Sequence, residues 1–444
     1  MKSTKSKIPN KFFLEKKLER ASVYVGMSGG VDSSVSAALL KEQGFDVVGV
    51  FIKVWQPDFV ELASPNHRSG CTWREDRLDA MRVCAKLEIP FITLNLEREY
   101  KEDVVDYMIN EYKIGRTPNP DVMCNKYVKF GAFFDWAIER GADFVATGHY
   151  ARCTRVADKC GLDADRRRKN SQYQLLAGAD DNKDQSYFLW TLTQKQLSRT
   201  LFPVGDIEKP EVRRLADKFN LPTSTKKDSQ GVCFLGKFDM KDFLAHYIKE
   251  IPGDVLNENG EKIGRHDGVL YLTVGQRHGF TVTQTSVADF TRTYVAELTQ
   301  NNAEKKKIST KKTHQDIGPY YIISKDVKNN TITVSQNPHP EARLRSLASG
   351  LVKIKDVNWT LGEEPDLTKT YSARIRYRQP LEECRIVQSP KSKAKSKEEY
   401  REYEIHFTNP QKAITPGQSI VIYDACPNDL SGRKEICLGG GIIS

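Results

Sequence analysis

The chain has 444 residues, of which 39% are hydrophobic and 28% charged, and its formal net charge is +10. The length suggests about three domains, and the composition excludes a disordered or collagen-like chain. No apolar run reaches the roughly 20 residues of a membrane helix, so no membrane association is expected, and the positive excess fits either a solvated surface or a partner made of phosphates.

The N-terminal stretch "MKSTKSKIPNKFFLEKKLER" is rich in lysine and lacks the apolar segment of a secretory signal. Glu15 and Glu19 beside a single arginine speak against a mitochondrial presequence, so a cytoplasmic location is expected. Over the first 150 residues, apolar runs rich in β-branched residues alternate with helical patterns. "SVYVGM" (22–27), "DVVGVFIKVW" (46–55), "IPFITLNL" (89–96) and "FVATGHYA" (144–151) read as buried parallel strands. "SSVSAALLKEQG" and "GAFFDWAIERG" read as helices ending at Gly44 and Gly141, and "REDRLDAMRVCAKLE" as one that places Leu78, Met81, Cys84 and Ala85 on one face. This alternation predicts a doubly wound α/β sheet over residues 1–222. A small central domain follows over 223–315 and includes the lysine-rich run "NNAEKKKISTKKTHQ". From 316 to 444, closely spaced short strands, beginning with "PYYIISKDVKNNTITVSQN", predict a C-terminal β-barrel.

The first strand runs directly into "SGGVDSS" (28–34). In an open α/β sheet, ligands bind at the carboxyl ends of the strands. Gly29 and Gly30 allow a tight turn that aims successive N–H groups at one point, and the helix begun by Asp32 adds its dipole. Ser28, Ser33 and Ser34 supply hydroxyls, so the stretch reads as a phosphate cradle. It is neither the lysine-bearing GxxxxGK[ST] loop nor the GxGxxG fingerprint.

Nine cysteines are scattered without a CxxC pair, which argues against a zinc ribbon, and no metal site or iron–sulfur cluster is expected. Cys124 lies in "GRTPNPDVMCNKYVKFG" (115–131) and Cys233 in "DSQGVCFLG" (228–236). By itself Cys124 reads as a small buried residue entering the helix that carries Phe130, Phe133 and Phe134. A helix N-terminus together with Lys126 and Lys129 would instead lower its thiol pKa. Cys233 reads either as a core residue beside Phe234 and Leu235 or as an exposed thiol on a glycine-flanked loop.

"SGGVDSS" resembles the signature of the PP-loop ATP pyrophosphatases, which split ATP between its α- and β-phosphates. Together with the two cysteine stretches, "ATGHYA" (146–151), "KDQSYFLW" (183–190), "VGQRHGF" (274–280), "RYRQ" (376–379), "TPGQS" (415–419) and "CLGGGII" (437–443) resemble the bacterial and mitochondrial tRNA-specific 2-thiouridylases, in family order from about residue 22 to the end. The resemblance implies a PP-loop domain, a central domain and a barrel. It also implies ATP with Mg2+, a tRNA substrate and a protein that donates persulfide sulfur.

The implied reaction adenylates O2 of the wobble uridine in lysine-, glutamate- and glutamine-type tRNAs and replaces it with sulfur, giving 2-thiouridine, AMP and pyrophosphate. By resemblance Cys233 carries the persulfide, Cys124 is the partner thiol and Asp121 a general acid/base. ATP falls to Gly26, Met27, Ser28, Gly29, Gly30, Val31, Asp32, Ser33, Ile52 and Gly148, with Asp32 near the metal. The tRNA falls to Asn119, Pro120, Asp121, His149, Lys183, Asp184, Gln185, Arg376, Tyr377 and Gln418, with Arg378 as a further candidate. Taken without the family, His149 also reads as structural, Asp121 as a turn cap, and 183–185 as a solvated loop.

Departures from the family pattern are extra residues near 158–170, 286–315 and 391–402, and Ser229–Gln230–Gly231 where Ser-Thr-Gly is usual. Competing readings are a PP-loop ligase acting on a small molecule, a thiolase for another nucleoside, and an RNA-binding protein with an inactive loop.

Overall fold

The computed structural model describes residues 20–57, 73–155, 172–228, 240–282, 319–337, 350–389, 402–425 and 435–444. The three insertions, the lysine-rich run at 301–315 and the Cys233 loop lie wholly or almost wholly outside them. Among the described residues no helix is long and apolar enough to cross a membrane.

The N-terminal sheet is parallel throughout, in the order β3 (Phe91–Asn95), β2 (Asp46–Lys53), β1 (Ser22–Met27), β4 (Phe144–Ala146), β7 (Thr200–Leu201). Val23, Val25 and Met27 pack on one face, while Val50 and Ile52 join a second core on the other. This two-sided burial is the doubly wound arrangement the alternation predicts. The order reverses direction between β1 and β4, which makes their carboxyl ends the switch point where such sheets bind ligands.

Helix α1 (Val31–Glu42) packs on the first face, and Gly44 follows it with φ +90°. Helix α2 (Trp73–Lys86) corrects the sequence reading, because it buries Ala80, Val83 and Cys84, whereas Leu78 and Met81 are 39% and 38% exposed. The cause is Gly49 on β2, where a Cβ would stand 2.3 Å from Cys84 Sγ. The helix therefore approaches the sheet through its smallest side chains.

Two helical runs cover the other face. α3 joins Glu97–Tyr100, a π-helical Lys101–Asp106 and Tyr107–Lys113. α4 joins Pro120–Met123, a π-helical Cys124–Ala132 and Phe133–Glu139, with Phe130, Phe133 and Phe134 buried. After them come a short α5 (Gln194–Leu197) and α6 (Lys209–Lys218).

Six strands close the C-terminal barrel: β13 (Leu351–Trp359), β16 (Tyr403–Phe407), β15 (Glu382–Gln388), β14 (Tyr371–Arg374), β17 (Ser419–Ala425) and β18 (Glu435–Ile443), with β18 pairing back to β13. Two strands from the N-terminal part, β5 (Ala151–Arg155) and β6 (Tyr173–Ala177), extend this sheet through Ile436↔Leu176. The hairpin β11 (Tyr321–Asp326)–β12 (Thr331–Ser335), read above as the start of the barrel, belongs elsewhere. β12 pairs in parallel with β8 (Gly253–Leu256), in a sheet completed by β9 (Lys262–His266) and β10 (Phe280–Val282). Ile322, Ile332 and Val334 fill that sheet's own core with Val255 and Val269, so the apolar face of the hairpin is already covered there.

Candidate active site

The cradle is built from its own hydroxyls. The Ser28 N–H donates to Ser33 Oγ at 3.2 Å and the Gly30 N–H to Ser28 Oγ at 3.3 Å. Both Ser33 Oγ and Ser34 Oγ donate back to the Gly30 carbonyl, at 3.2 and 2.7 Å. Gly30 is the extended N-cap of α1 and makes no side-chain cap, which leaves the first-turn amides pointing forward. Gly29 sits at φ +75°, and a Cβ there would stand 2.3 Å from the Asp76 carbonyl oxygen. From β4 the chain crosses the start of α1 so closely that a Cβ on Gly148 would come within 2.6 Å of the Ser33 nitrogen.

Beside the cradle lies a charged cluster. Lys209 Nζ is 2.6 and 2.9 Å from the two Asp32 oxygens and 3.0 Å from Asp228 Oδ1. Tyr150 O–H donates to Asp32 Oδ1 at 2.7 Å. Lys183 Nζ and Arg213 also converge on Asp228. Burial alone would raise the Asp228 carboxyl, but hydrogen bonds from Lys183 and Lys209 outweigh it and hold the group well below the usual carboxylate range. Burial, followed by the Asp32 charge, pushes the Tyr150 phenol well above its ordinary value, so it stays a donor.

The second part of the site is the segment Gly115–Cys124. Asn119 caps α4, its Oδ1 accepting from the Val122 N–H at 3.3 Å, with Pro120 in the first turn. Cys124 opens the π-helical stretch and is fully buried. Two distant sheets hold the approach to this helix. From the barrel, the Pro416 carbonyl accepts from the Thr117 N–H at 2.9 Å, and Gln418 Nε2 donates to the carbonyls of Thr117 and Pro118, both at 3.0 Å. Arg116 reaches the Ile443 carbonyl at 2.8 Å. Gly417 is needed for the approach, since a Cβ there would stand 2.8 Å from the Thr117 carbonyl oxygen. From the central sheet, Lys325 Nζ donates to the carbonyls of Gly115 and Leu272, and Thr273 Oγ1 lies 3.2 Å from Thr117 Oγ1. Burial pulls the Lys325 ammonium down to about 8.

Three family models match in chain order: a "tRNA methyl transferase HUP domain" over residues 21–237, a "tRNA methyl transferase PRC-barrel domain" over 241–304 and an "Aminomethyltransferase beta-barrel domain" over 349–443. A tRNA-specific 2-thiouridylase MnmA of Geobacillus thermodenitrificans is 41% identical over 95% of this chain and 94% of its own length. The chain belongs to the tRNA-specific 2-thiouridylase family. A further 2-thiouridylase, from Nitrosomonas eutropha, is 40% identical over 96% of this chain and 99% of its own. Among solved structures, a 4-thiouridine synthetase–RNA complex with bound ATP covers 51% of this chain at 17% identity and TM-score 0.28, too distant to bear on the site.

Against the family-based assignments, several side chains are turned inward. His149, expected at the tRNA, is buried between Phe130 and Phe202, with Nδ1 2.8 Å from Thr147 Oγ1. Burial and the Lys129 ammonium hold it well below the usual histidine range, so it is neutral. Asp184 is buried and accepts from the N–H groups of Gly178 and Ser186 and from Ser186 Oγ, which makes it a turn anchor. Arg376 donates to the carbonyls of Val274 and Ala413 and to Thr415 Oγ1, and so locks loops together rather than facing outward. Gln418 is the clamp on Thr117 and Pro118, and Ile52 lies in the core. Gln185 is half-buried, its Oε1 accepting from the Tyr150 N–H. Tyr377 packs against Phe188 with tilted rings 4.6 Å apart, and Arg378 is exposed over the Tyr377 ring. Asp121 and Pro120 are half-buried, and Cys233 falls outside the described residues.

Sequence reading missed Lys209, Tyr150 and Asp228 at the cradle. Tyr150 and Asp228 lie inside quoted motifs, but nothing in "DIEKPEVRR" sets Lys209 apart from an ordinary first-turn lysine.

Proposed function

We propose that this chain is an ATP-dependent tRNA-uridine 2-sulfurtransferase that makes 2-thiouridine at the wobble position of lysine-, glutamate- and glutamine-type tRNAs. The observation that carries this reading is near-full-length likeness to proteins named tRNA-specific 2-thiouridylases. The cradle at the switch point gives that likeness a chemical seat.

The loop Gly26–Ser33 holds the β- and γ-phosphates through backbone N–H groups, with Gly148 closing the nucleotide side. Asp32 is the carboxylate beside the cradle and suits a hard divalent cation that takes oxygen ligands, so Mg2+ fits there and would neutralise phosphate charge. The uridine leaves its stack for the pocket at Asn119, Pro120 and Asp121, where Asp121 handles the proton at N3 or O2. O2 attacks the α-phosphate and pyrophosphate leaves.

The outer sulfur of a Cys233 persulfide, loaded by a donor protein, then attacks C2. The Cys124 thiolate attacks Cys233 Sγ, so the 2-thiouridine sulfur is freed, AMP departs with O2, and a Cys124–Cys233 disulfide remains for an external thiol to reduce. Lys183, Gln185, Tyr377 and Arg378 serve the RNA, whereas Asp184, His149, Arg376 and Gln418 support the site from inside. The N-terminal composition accords with a cytoplasmic setting.

The test is thiolation of an unmodified glutamate-type tRNA transcript with ATP, Mg2+ and a persulfide donor, resolved on a mercury-containing gel. Retardation with the wild type, and none with Cys124→Ser, Cys233→Ser or a wobble U→C transcript, is expected. ATP cleavage stimulated by a small acid, with no retarded tRNA, would overturn the reading.

A further inference from the structure

We propose that Lys209 is the residue that grips the leaving pyrophosphate, and that it does so by exchanging the Asp32 carboxylate for phosphate oxygens. The inference rests on the ATP-cleaving function proposed above.

The cradle carries no cation of its own. A GxxxxGK[ST] loop carries its own lysine to the β- and γ-phosphates, and "SGGVDSS" has none. Its backbone N–H groups are neutral donors. Cleavage between the α- and β-phosphates forms the bond from the α-phosphorus to the uridine oxygen and breaks the bond to the bridging oxygen. The electron pair departs on pyrophosphate, so negative charge grows on the leaving group, where a cation lowers the barrier most.

The fold brings such a cation to this place from 177 residues away in the chain. Lys209 stands at the start of α6, its backbone N–H fixed by Asp180 Oδ2 at 2.9 Å. Its side chain is only 12% exposed and passes over the Tyr150 ring, and its ammonium lies against Asp32 in the first turn of α1.

The cluster is arranged so that Lys209 is the member able to leave. Asp228 keeps Lys183 and Arg213 if Lys209 moves away, and Asp32 keeps the Tyr150 hydroxyl. Three cations, Lys183, Lys209 and Arg213, are ion-paired with Asp32 and Asp228, while the Asp180 carboxylate is held at the Lys209 backbone, so only the Lys209 ammonium has to change partner when a polyphosphate arrives. A lysine suits the exchange better than an arginine, being a compact charge on a flexible four-carbon stem. Before the nucleotide arrives, the same ammonium shields the loop from the Asp32 charge, which would otherwise repel phosphate.

The experiment is calorimetric titration of the full chain, without tRNA, using magnesium pyrophosphate and AMP as separate probes, on wild type, Lys209→Met and Lys209→Arg. Loss of one charge-assisted contact predicts a roughly 10- to 100-fold weaker pyrophosphate affinity in Lys209→Met. AMP affinity is expected to stay within about twofold, and Lys209→Arg to recover part of the loss. Undiminished pyrophosphate binding in Lys209→Met would overturn the proposal. So would an equal fall for AMP and pyrophosphate, or the same loss in Lys209→Arg as in Lys209→Met, because each marks a structural role. A wild type that binds neither probe would overturn the nucleotide reading itself and this inference with it. That outcome is distinct, because it appears before any substitution is made.

Discussion

The cradle loop closes on itself through bonds between residues no more than five apart, Ser28 to Ser33 and Gly30 to Ser34. The segment Gly115–Pro118 is held by partners 156 to 327 residues away, on the central sheet and the barrel. One is a local structure and the other a tertiary one. The difference teaches where each should fail. A local loop fails when its own backbone is disturbed. A clamped segment fails when a remote domain loosens, with the nucleotide site left intact.

The largest expected effect tests the local side. Gly29→Ala places a Cβ against the Asp76 backbone at a positive φ. The distortion costs about 3 kcal/mol, so affinity for an ATP analogue should fall roughly a hundredfold or more. Near-normal affinity in calorimetry would show that neither the positive φ of Gly29 nor its close approach to Asp76 shapes the cradle.

Next comes the clamp. Gln418→Ala leaves the carbonyls of Thr117 and Pro118 without its two bonds. At about 1–3 kcal/mol, the thiolation rate should drop by one to two orders of magnitude, while nucleotide affinity and tRNA affinity change little. If tRNA affinity falls as far as the rate, Gln418 is a direct RNA contact and the clamp is secondary.

A smaller effect separates the central sheet's share. Lys325 has its ammonium pulled from 10.5 to about 8 by burial. The unfolded chain therefore holds a proton that the folded chain has lost between those values, and stability rises with pH across that window. Lys325→Met should abolish the rise, as read from urea midpoints at pH 7.5 and pH 10. An identical pH slope in both proteins would mean that the lysine is not buried as described.

The smallest effect contrasts two arginines of one motif. Arg376 is bonded inward, whereas Arg378 is exposed. Arg378→Ala should weaken tRNA binding only a few-fold, reduce the salt slope by about one and leave the melting temperature unchanged. A melting temperature lowered as far as by Arg376→Ala would erase the contrast.

Much of this was legible before the structure. Val23, Val25 and Met27 alternate into a core, and "SGGVDSS" follows where an α/β sheet binds ligands, so the first sheet and its cradle follow from residues adjacent in the chain. The face of α2 was misread because hydrophobicity favoured Leu78 and Met81, whereas the distance of closest approach, set by Gly49 across the sheet, favoured Ala80 and Cys84. The β11–β12 hairpin was assigned to the wrong sheet because its alternation states that one face is buried, not against what. His149, Asp184 and Arg376 look like surface recognition groups in a motif, and only the burial of the first two and the inward hydrogen bonds of the half-buried Arg376 make them internal braces.

By itself the sequence determined the parallel sheet, the phosphate cradle and the family. Each of these rests on backbone conformation and hydrogen bonds among neighbours, or on motifs read in order. Tertiary structure alone decided that Lys209 meets Asp32, that Gln418 and Lys325 hold the segment before Cys124, and that the hairpin leaves the barrel for the central sheet. Those contacts join residues far apart in the chain, and their partners are chosen by which surfaces the folded domains bring together, a choice that no local pattern of residues encodes.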